Sequence, residues 1–410
     1  MPSSSYGLSA NAIILHNRSF VIYCLARVST TVAAQMLAVA VGWQIYALTN
    51  SAFYLGLVGL VQFLPMVLLT LMVGHVADRY NRRLIISACQ FIEGVGVLVL
   101  AAGSYAGWLN KESILAIMFL LGAVRAFEGP TMQALMPGLV AVEHLSRAAA
   151  WTASASQTAV IIGPALGGFL YIYGPTTVYS IVGLLLLGAS LLVFLIQIKQ
   201  ILPKRDPVDL PSLFAGIAFI RSKPAIIGAI SLDLFAVLLG GATALLPIYA
   251  KEILIVGPLG LGILRAAPAV GALLMSVYLA RHPLQHRVGR IMFLAVFIFG
   301  IATFVFGIST SFVLSITALI ILGAADVFSV VIRAALVQLK TPDEMRGRVS
   351  AVNSMFIGTS NQLGEFESGL TASWFGLVPA VLIGGIGTII VAVIWMRIFP
   401  ELADVDKLER

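Results

Sequence analysis

Long apolar runs, each closed by a short polar break, repeat along the whole chain. Twelve of them occupy residues 20–48, 53–73, 84–106, 113–137, 149–172, 175–198, 224–247, 259–280, 291–309, 312–338, 349–372 and 376–399. A helix that crosses a bilayer needs about 20 apolar residues, so each run predicts one membrane-spanning helix. Helical periodicity within most runs is weak, as expected when lipid covers one face and apolar protein the other. Composition agrees. Of 410 residues, 60% are hydrophobic and 10% are charged, against about 25% charged in a soluble domain. So few charges cannot cover a water-facing surface, and the breaks are too short to form a domain outside the membrane.

Charge placement adds a topology. The net charge is +7, yet nineteen of the 25 Lys and Arg lie at the N-terminus, in breaks after even-numbered runs, or at the C-terminal end. Only Lys111 and Lys251 fall in breaks after odd-numbered runs. By the positive-inside rule, both termini and the even breaks are cytoplasmic. The basic excess is therefore a topology signal and does not point to nucleic acid. Cys24 and Cys89 both fall in apolar runs and read as small fillers with no disulfide framework. Residues 1–19 lack a cleavable leader pattern, so the first run is expected to be a retained helix.

The longest polar break begins at Lys199 and runs through Arg205, Asp206 and Asp209 to a short amphipathic stretch, Pro211 to Lys223. It divides the chain into an N-terminal six-helix bundle (1–198), a cytoplasmic linker (199–223), a C-terminal six-helix bundle (224–399) and a cytoplasmic tail (400–410). The halves repeat. Shifted by 201 positions, residues 121–168 match 322–369 at twelve of 48 positions, including Glu143 on Glu344 and Arg147 on Arg348. A shift of 206 lays Leu55-Gly56 on Leu261-Gly262, and a shift of 208 lays Asp78-Arg79-Tyr80-Asn81-Arg82 on His286-Arg287-Val288-Gly289-Arg290. Two halves that both enter from the cytoplasm form a parallel repeat about an axis along the membrane normal, an arrangement in which binding sites, where present, lie near the midplane between the halves.

Three patterns stand out against the apolar background. The first is Gly74-His75-Val76-Ala77-Asp78-Arg79-Tyr80-Asn81-Arg82-Arg83, between the second and third helices. Gly74 suits a tight reversal, Asp78 can accept hydrogen bonds from a helix N-terminus or from Arg82, and Arg79 and Arg83 can reach lipid phosphates. The second is Gly163-Pro164-Ala165-Leu166-Gly167-Gly168 in the fifth helix. Its proline removes a backbone donor and its glycines remove side chains, which gives a thin helix that a neighbour can approach closely. The third is Arg125-Ala126-Phe127-Glu128-Gly129 in the fourth helix. An arginine near a helix centre costs roughly 2.5–3.5 kcal/mol on insertion scales, so it should face the bundle interior and a carboxylate.

Together these patterns resemble the signatures of the major facilitator superfamily of transporters, in the branch of bacterial enterobactin exporters and drug:proton antiporters. The resemblance implies an all-α integral membrane protein of twelve helices with both termini cytoplasmic. It implies a conformational latch at Gly74, Asp78, Arg79, Arg82 and Arg83. Asn81 stands where the family has glycine, and its tolerance of left-handed backbone should keep the turn. It also implies an antiporter motif at Gly163, Pro164, Gly167 and Gly168, although Ala159 replaces an earlier glycine. In this fold helices one, four, seven and ten line the cavity. The repeat then pairs Arg125 with Asp326 and Arg27 with Asp233, a cation in one half with an anion in the other. These four are expected to form a charge network across the cavity, with protonation of an acid biasing alternating access. A static ion pair is the plainer alternative.

Glu128, Glu365 and Glu367 are further candidates for coupling. Glu365 and Glu367 are two apart and so point to different faces of one helix; Arg333 is a possible partner for one of them. For Arg265 and Glu93 packing or capping is the plainer explanation. Other chemistry is missing from the sequence. It holds no G-x-x-x-x-G-K, H-E-x-x-H or G-x-S-x-G pattern, and its five histidines lie in predicted cytoplasmic segments. The expected protein has no enzymatic activity, cofactor or metal. It is a monomeric secondary transporter in the bacterial inner membrane that exports a small drug-like or siderophore-like molecule in exchange for protons. An importer, a lipid flippase, or a non-transporting membrane sensor or assembly partner are the alternatives.

Overall fold

The computed structural model describes residues 16–197 and 210–407, without the side chains of 70–79, 210–214, 343, 344, 346, 347 and 351. The described residues are helical and contain no strand. The first set of long helices is α1 (Arg18–Thr49), α2 (Ala52–Arg79), α3 (Arg82–Tyr105), α4 (Lys111–Leu135), α5 (Leu145–Tyr171) and α6 (Pro175–Phe194). The second set is α7 (Pro224–Leu239), α8 (Gly257–Arg281), α9 (Val288–Ile308), α10 (Phe312–Leu339), α11 (Asp343–Phe375) and α12 (Leu377–Ile398). A shorter helix, Leu210–Arg221, precedes α7 and packs on α11. Among the described helices, eleven are long and apolar enough to cross a membrane. The exception is α11, which is 33 residues long but carries Glu365, Glu367 and several amides.

Polar residues at the breaks set the helix ends. Asn17, Asn81 and Asn110 cap α1, α3 and α4 by accepting from the backbone N–H of Phe20, Arg83 and Ser113, the usual service of an asparagine at a helix start. Asn81 is therefore extended (φ −65°), not left-handed as the glycine comparison suggested. A two-residue reversal ending in an N-cap does not need positive φ. At the α5–α6 and α11–α12 junctions the repeat shows in the backbone, where Gly174 (φ 97°) and Gly376 (φ 91°) take conformations that disfavour a Cβ.

Two features depart from the sequence expectation. The seventh apolar run, 224–247, is not one helix. It stops at Gly240-Gly241 and continues as a 3-10 turn, Ala242–Leu245, a single turn over Leu246–Ile248 and a π turn, Tyr249–Ile253. The loop from His286 to Arg290, which has a histidine where the repeat places Asp78, receives an acid in space from the tail. The Asp406 carboxylate accepts from the Arg287 backbone N–H at 2.9 Å and meets His286 Nδ1 at 3.1 Å. Next to it, the Gly289 N–H donates to the Val405 carbonyl.

Within the first set, α1 packs on α5 and α6, α2 on α4, and α3 on α4 and α6. In the second, α7 packs on α11 and α12, α8 on α10, and α9 on α10 and α12. The sets meet mainly along two seams, α5 against α8 and α2 against α11.

Candidate functional site

The two seams are copies of one another, and glycine makes both. On α5, Gly168 lies so close to Pro258 and Gly262 of α8 that a Cβ would collide with the Pro258 carbonyl. Gly262 in turn presses on the carbonyl of Pro164. On the other seam, a Cβ on Gly369 of α11 would come within 2.6 Å of the Gly56 Cα of α2. Gly168 corresponds to Gly369 in the 201 repeat, and Gly56 to Gly262 in the 206 repeat. The other face of the α5 motif packs on α1, with Gly163 against Gln35 and Gly167 against Met36. Gly163, Pro164, Gly167 and Gly168 thus let α5 approach two helices at once.

The seams close toward one end of the bundle, the end that carries the short loops after odd-numbered helices. Among the described residues, every glycine contact between the sets tighter than 3.4 Å lies in that half of the molecule (Gly42, Gly56, Gly59, Gly168, Gly262 and Gly369). A polar clasp reinforces it. The π turn carries Lys251 and Glu252 toward α1, where the Tyr46 hydroxyl donates to Glu252. Lys251 donates to Asn50 Oδ1 at 3.3 Å and sits 5.0 Å from the centre of the Tyr46 ring. In the sequence Lys251 is simply a charge in the break after the seventh run, and nothing there marks the π turn that carries it and Glu252.

Below this closure a cavity of about 60 Å³ separates the sets. Its polar lining is Gln62 of α2, Arg125 of α4, Arg265 of α8 and Glu365 of α11. Arg125 pairs with Glu93 at 3.5 Å and donates to Gln62 Oε1 at 3.2 Å. Glu128 accepts from Gln90 at 2.9 Å, and Gln90 also donates to Thr30. Arg27 donates to Ser156 at 3.2 Å. Asp233 and Arg333 form a buried ion pair joining α7 to α10. Glu367 accepts from Thr371 one turn along its own helix. Among the described residues Asp326 has neither a hydrogen bond nor an ion pair.

The charge network expected across the cavity is therefore not formed in this conformation. Arg125 finds Glu93, not Asp326; Asp233 finds Arg333, not Arg27; and Arg333 is not the partner of Glu365 or Glu367. The physical reason is reach. Arg27, Arg125 and Asp233 each meet an opposite or polar group on a neighbouring helix of their own set, and Asp326 meets none among the described residues. Glu93, Gln90 and Gln62 carry roles that the sequence reading left open or missed.

The expected latch contacts of Gly74, Asp78 and Arg79 lie outside the described side chains. The other two latch residues are placed. Arg82 donates to the Ala134 carbonyl at 3.1 Å and Arg83 to the Ile196 carbonyl at 2.9 Å, with the Arg83 guanidinium 5.4 Å from the Phe194 ring centre. Both cations thus neutralise carbonyl-rich C-terminal ends, of α4 and of the segment after α6. Arg83 therefore does not simply point to lipid phosphates.

A family model described as the Major Facilitator Superfamily matches residues 23–365. The chain belongs to the major facilitator superfamily. It is a multi-pass membrane transporter of that superfamily, not an enzyme. Among curated proteins it is similar to the enterobactin exporter EntS of Citrobacter koseri, at 28% identity over 92% of this chain and 91% of that one. It is also similar to EntS of Shigella boydii, at 26% identity with the same coverage. Among solved structures, a bacterial homologue of the human lysosomal transporter Spinster, inward-facing and unoccupied, superposes with a TM-score of 0.73. That match is at 16% identity and spans 98% of this chain and 99% of the other. The nucleoside transporter NupG gives a TM-score of 0.68 at 15% identity, over 93% of this chain and 99% of its own. Both structural matches bear on the fold alone.

Proposed function

We propose that this superfamily member is a proton-coupled exporter of a small organic molecule, working by alternating access. Residues 1–198 and 224–399 act as two six-helix bundles that rock about the cavity, and 199–223 tethers them. α11 is the twelfth span, since 33 residues at about 1.5 Å each exceed the bilayer core. Both termini and the even loops are cytoplasmic, so the end closed by the two glycine seams is periplasmic and the conformation is inward-facing. The protein resides in a bacterial inner membrane as a monomer.

The observation that carries this reading is the pair of symmetric glycine seams closing one end above a charged cavity. Such seams hold mainly by close backbone packing, with a hydrogen bond from Gln157 to the Ala269 carbonyl at 3.3 Å across one of them, and among the described residues no ion pair has to break for them to part. Below them, Asp326 lacks a partner among the described residues, and the Arg125–Glu93 pair at 3.5 Å is loose. These acids are available to take up a proton, whereas the buried Asp233–Arg333 pair is not. Enterobactin export, named for the relatives, supports a siderophore-like cargo.

The test is uptake of enterobactin into inverted membrane vesicles energised by respiration. Uptake that collapses when a protonophore is added is the expected result. Uptake indifferent to the protonophore, or none above vesicles lacking the protein, contradicts it. One observation favours a lipid flippase as the second reading. A wholly apolar groove of about 560 Å³ opens between α5, α8 and α10, lined by residues such as Ile162, Leu166, Ile263 and Ile320. Spin-labelled phospholipid moving between leaflets in proteoliposomes would support that reading over export.

A further inference from the structure

The repeat that makes the two seams alike also shows where they differ. Gly59 of α2 corresponds to Arg265 of α8, and Pro164 of α5 corresponds to Glu365 of α11. On one seam the Glu365 side chain lies flat on Gly59, its Oε2 2.9 Å from where a Cβ would stand. Symmetry is thus broken by one arginine and one glutamate, and both line the cavity.

These two charges do not behave as a structural pair. Each is the other's opposite charge in the electrostatics of the site. Yet among the described residues Arg265 makes no hydrogen bond and no close ion pair. The contrast is with Asp233 and Arg333, which close on each other directly. A guanidinium offers five donors in a planar fork, and leaving all of them unused in a membrane interior is costly. Arg125, from the other set of helices, faces the same cavity with a terminal nitrogen free beyond its bonds to Glu93 and Gln62. The remaining walls are apolar, among them Leu37, Val41, Leu55 and Met118.

We propose that Arg265 and Arg125 form an anion-binding fork, which takes the carboxylate or phenolate of an organic anion whose apolar body rests on α1, α2 and α4. Glu365 balances Arg265 while the site is empty and yields it to the cargo. About 60 Å³ is room for an anionic head and not for a whole cargo, because a single water already needs some 10–15 Å³. The inference rests on the reading of this cavity as the cargo site, and it names the class of cargo. Two arginines on opposite sets also mean that bound cargo bridges the halves. Bidentate geometry is what arginine supplies and lysine does not.

The experiment compares benzoate with benzylammonium, two probes of one frame and opposite charge, by thermal unfolding of the purified protein in lipid nanodiscs. A ligand that binds only the folded state raises the midpoint in a concentration-dependent way. Benzoate should raise it and benzylammonium should not. Arg265→Gln and Arg125→Gln should each weaken benzoate at least tenfold, Arg265→Lys should fall between, and Arg281→Gln, exposed at the end of α8, should not matter. Equal stabilisation by both probes, none by either, or an undiminished benzoate effect in Arg265→Gln overturns the proposal. The wild-type comparison decides even if a variant does not fold. The readout needs no flux, so an absence of proton-driven transport, which would overturn the export reading, leaves it intact.

Discussion

Asp233 and Asp326 look alike in the sequence, each a lone acid in an apolar run, and the fold gives them opposite duties. Asp233 is buried against Arg333. Removing one partner of such a pair strands a charge and typically costs about 3–5 kcal/mol. Asp233→Asn and Arg333→Gln should therefore each lower the unfolding midpoint of purified protein markedly, and the double variant should lose less than the two combined. Asp326 has no partner to strand among the described residues. Asp326→Asn should leave the midpoint nearly unchanged and abolish protonophore-sensitive uptake; a large loss of stability with intact uptake would reverse these roles. Outside the membrane, the Asp406 carboxyl is held below its ordinary value, first by the Arg287 backbone N–H and then by His286. A lowered carboxylate stabilises the fold above its ordinary pKa and loses that effect as pH falls through the lowered value. Hydrogen-exchange protection of residues 286–289 should thus decline below about pH 4, and Asp406→Asn should remove that acid step. Which residues are charged was legible in the sequence. Which charges meet was not, because pairing depends on helix faces and on neighbours far along the chain, as with Arg125 and Glu93 or Arg287 and Asp406.

At the scale of elements, the glycines decide how the helices pack. Gly168→Val and Gly262→Val each push a side chain into a backbone carbonyl of the facing helix. Such overpacking typically costs about 1–3 kcal/mol, and here the cost falls on the closed seam. Both variants should lower thermal stability and open the short-loop end to thiol reagents, while Gly188→Val, where a Cβ meets nothing within 4 Å, should do neither. If all three behave alike, the seams are not glycine-limited. The glycine motif on α5 and the Gly56, Gly262 and Gly369 counterparts were readable from the repeat, since small residues at matched offsets survive as a pattern. The break in α7 was not. Gly240-Gly241 sits in an unbroken apolar run, and hydropathy cannot tell a straight helix from one that stops and restarts. The π turn that aims Lys251 and Glu252 across the seam lies in the break after that run, where hydropathy does not specify backbone geometry. α11 shows the converse: its carboxylates dilute the apolar signal of a helix whose length is ample.

At the scale of the molecule, two sets of six helices touch along two related seams, and the cavity lies where both seams end. The all-helical membrane fold and the superfamily were legible in the chain, because a membrane fold must write its spans in hydropathy. The state of the cavity was not legible, because under the proposed alternating access one sequence serves both the open and the closed arrangement. The central claim is that the end closed by Gly168–Gly262 and Gly369–Gly56 opens during transport while the other end shuts. The most direct measurement is electron–electron resonance between spin labels across that end, in a background with Cys24 and Cys89 replaced by alanine. Label pairs at Tyr173 with Leu259 and at Trp108 with Trp374 place one exposed label on each set of helices. The account predicts two distance populations for each pair, with the longer one growing in both pairs together when pH or cargo is changed. A single distance in either pair, unmoved by pH and by cargo, would contradict it.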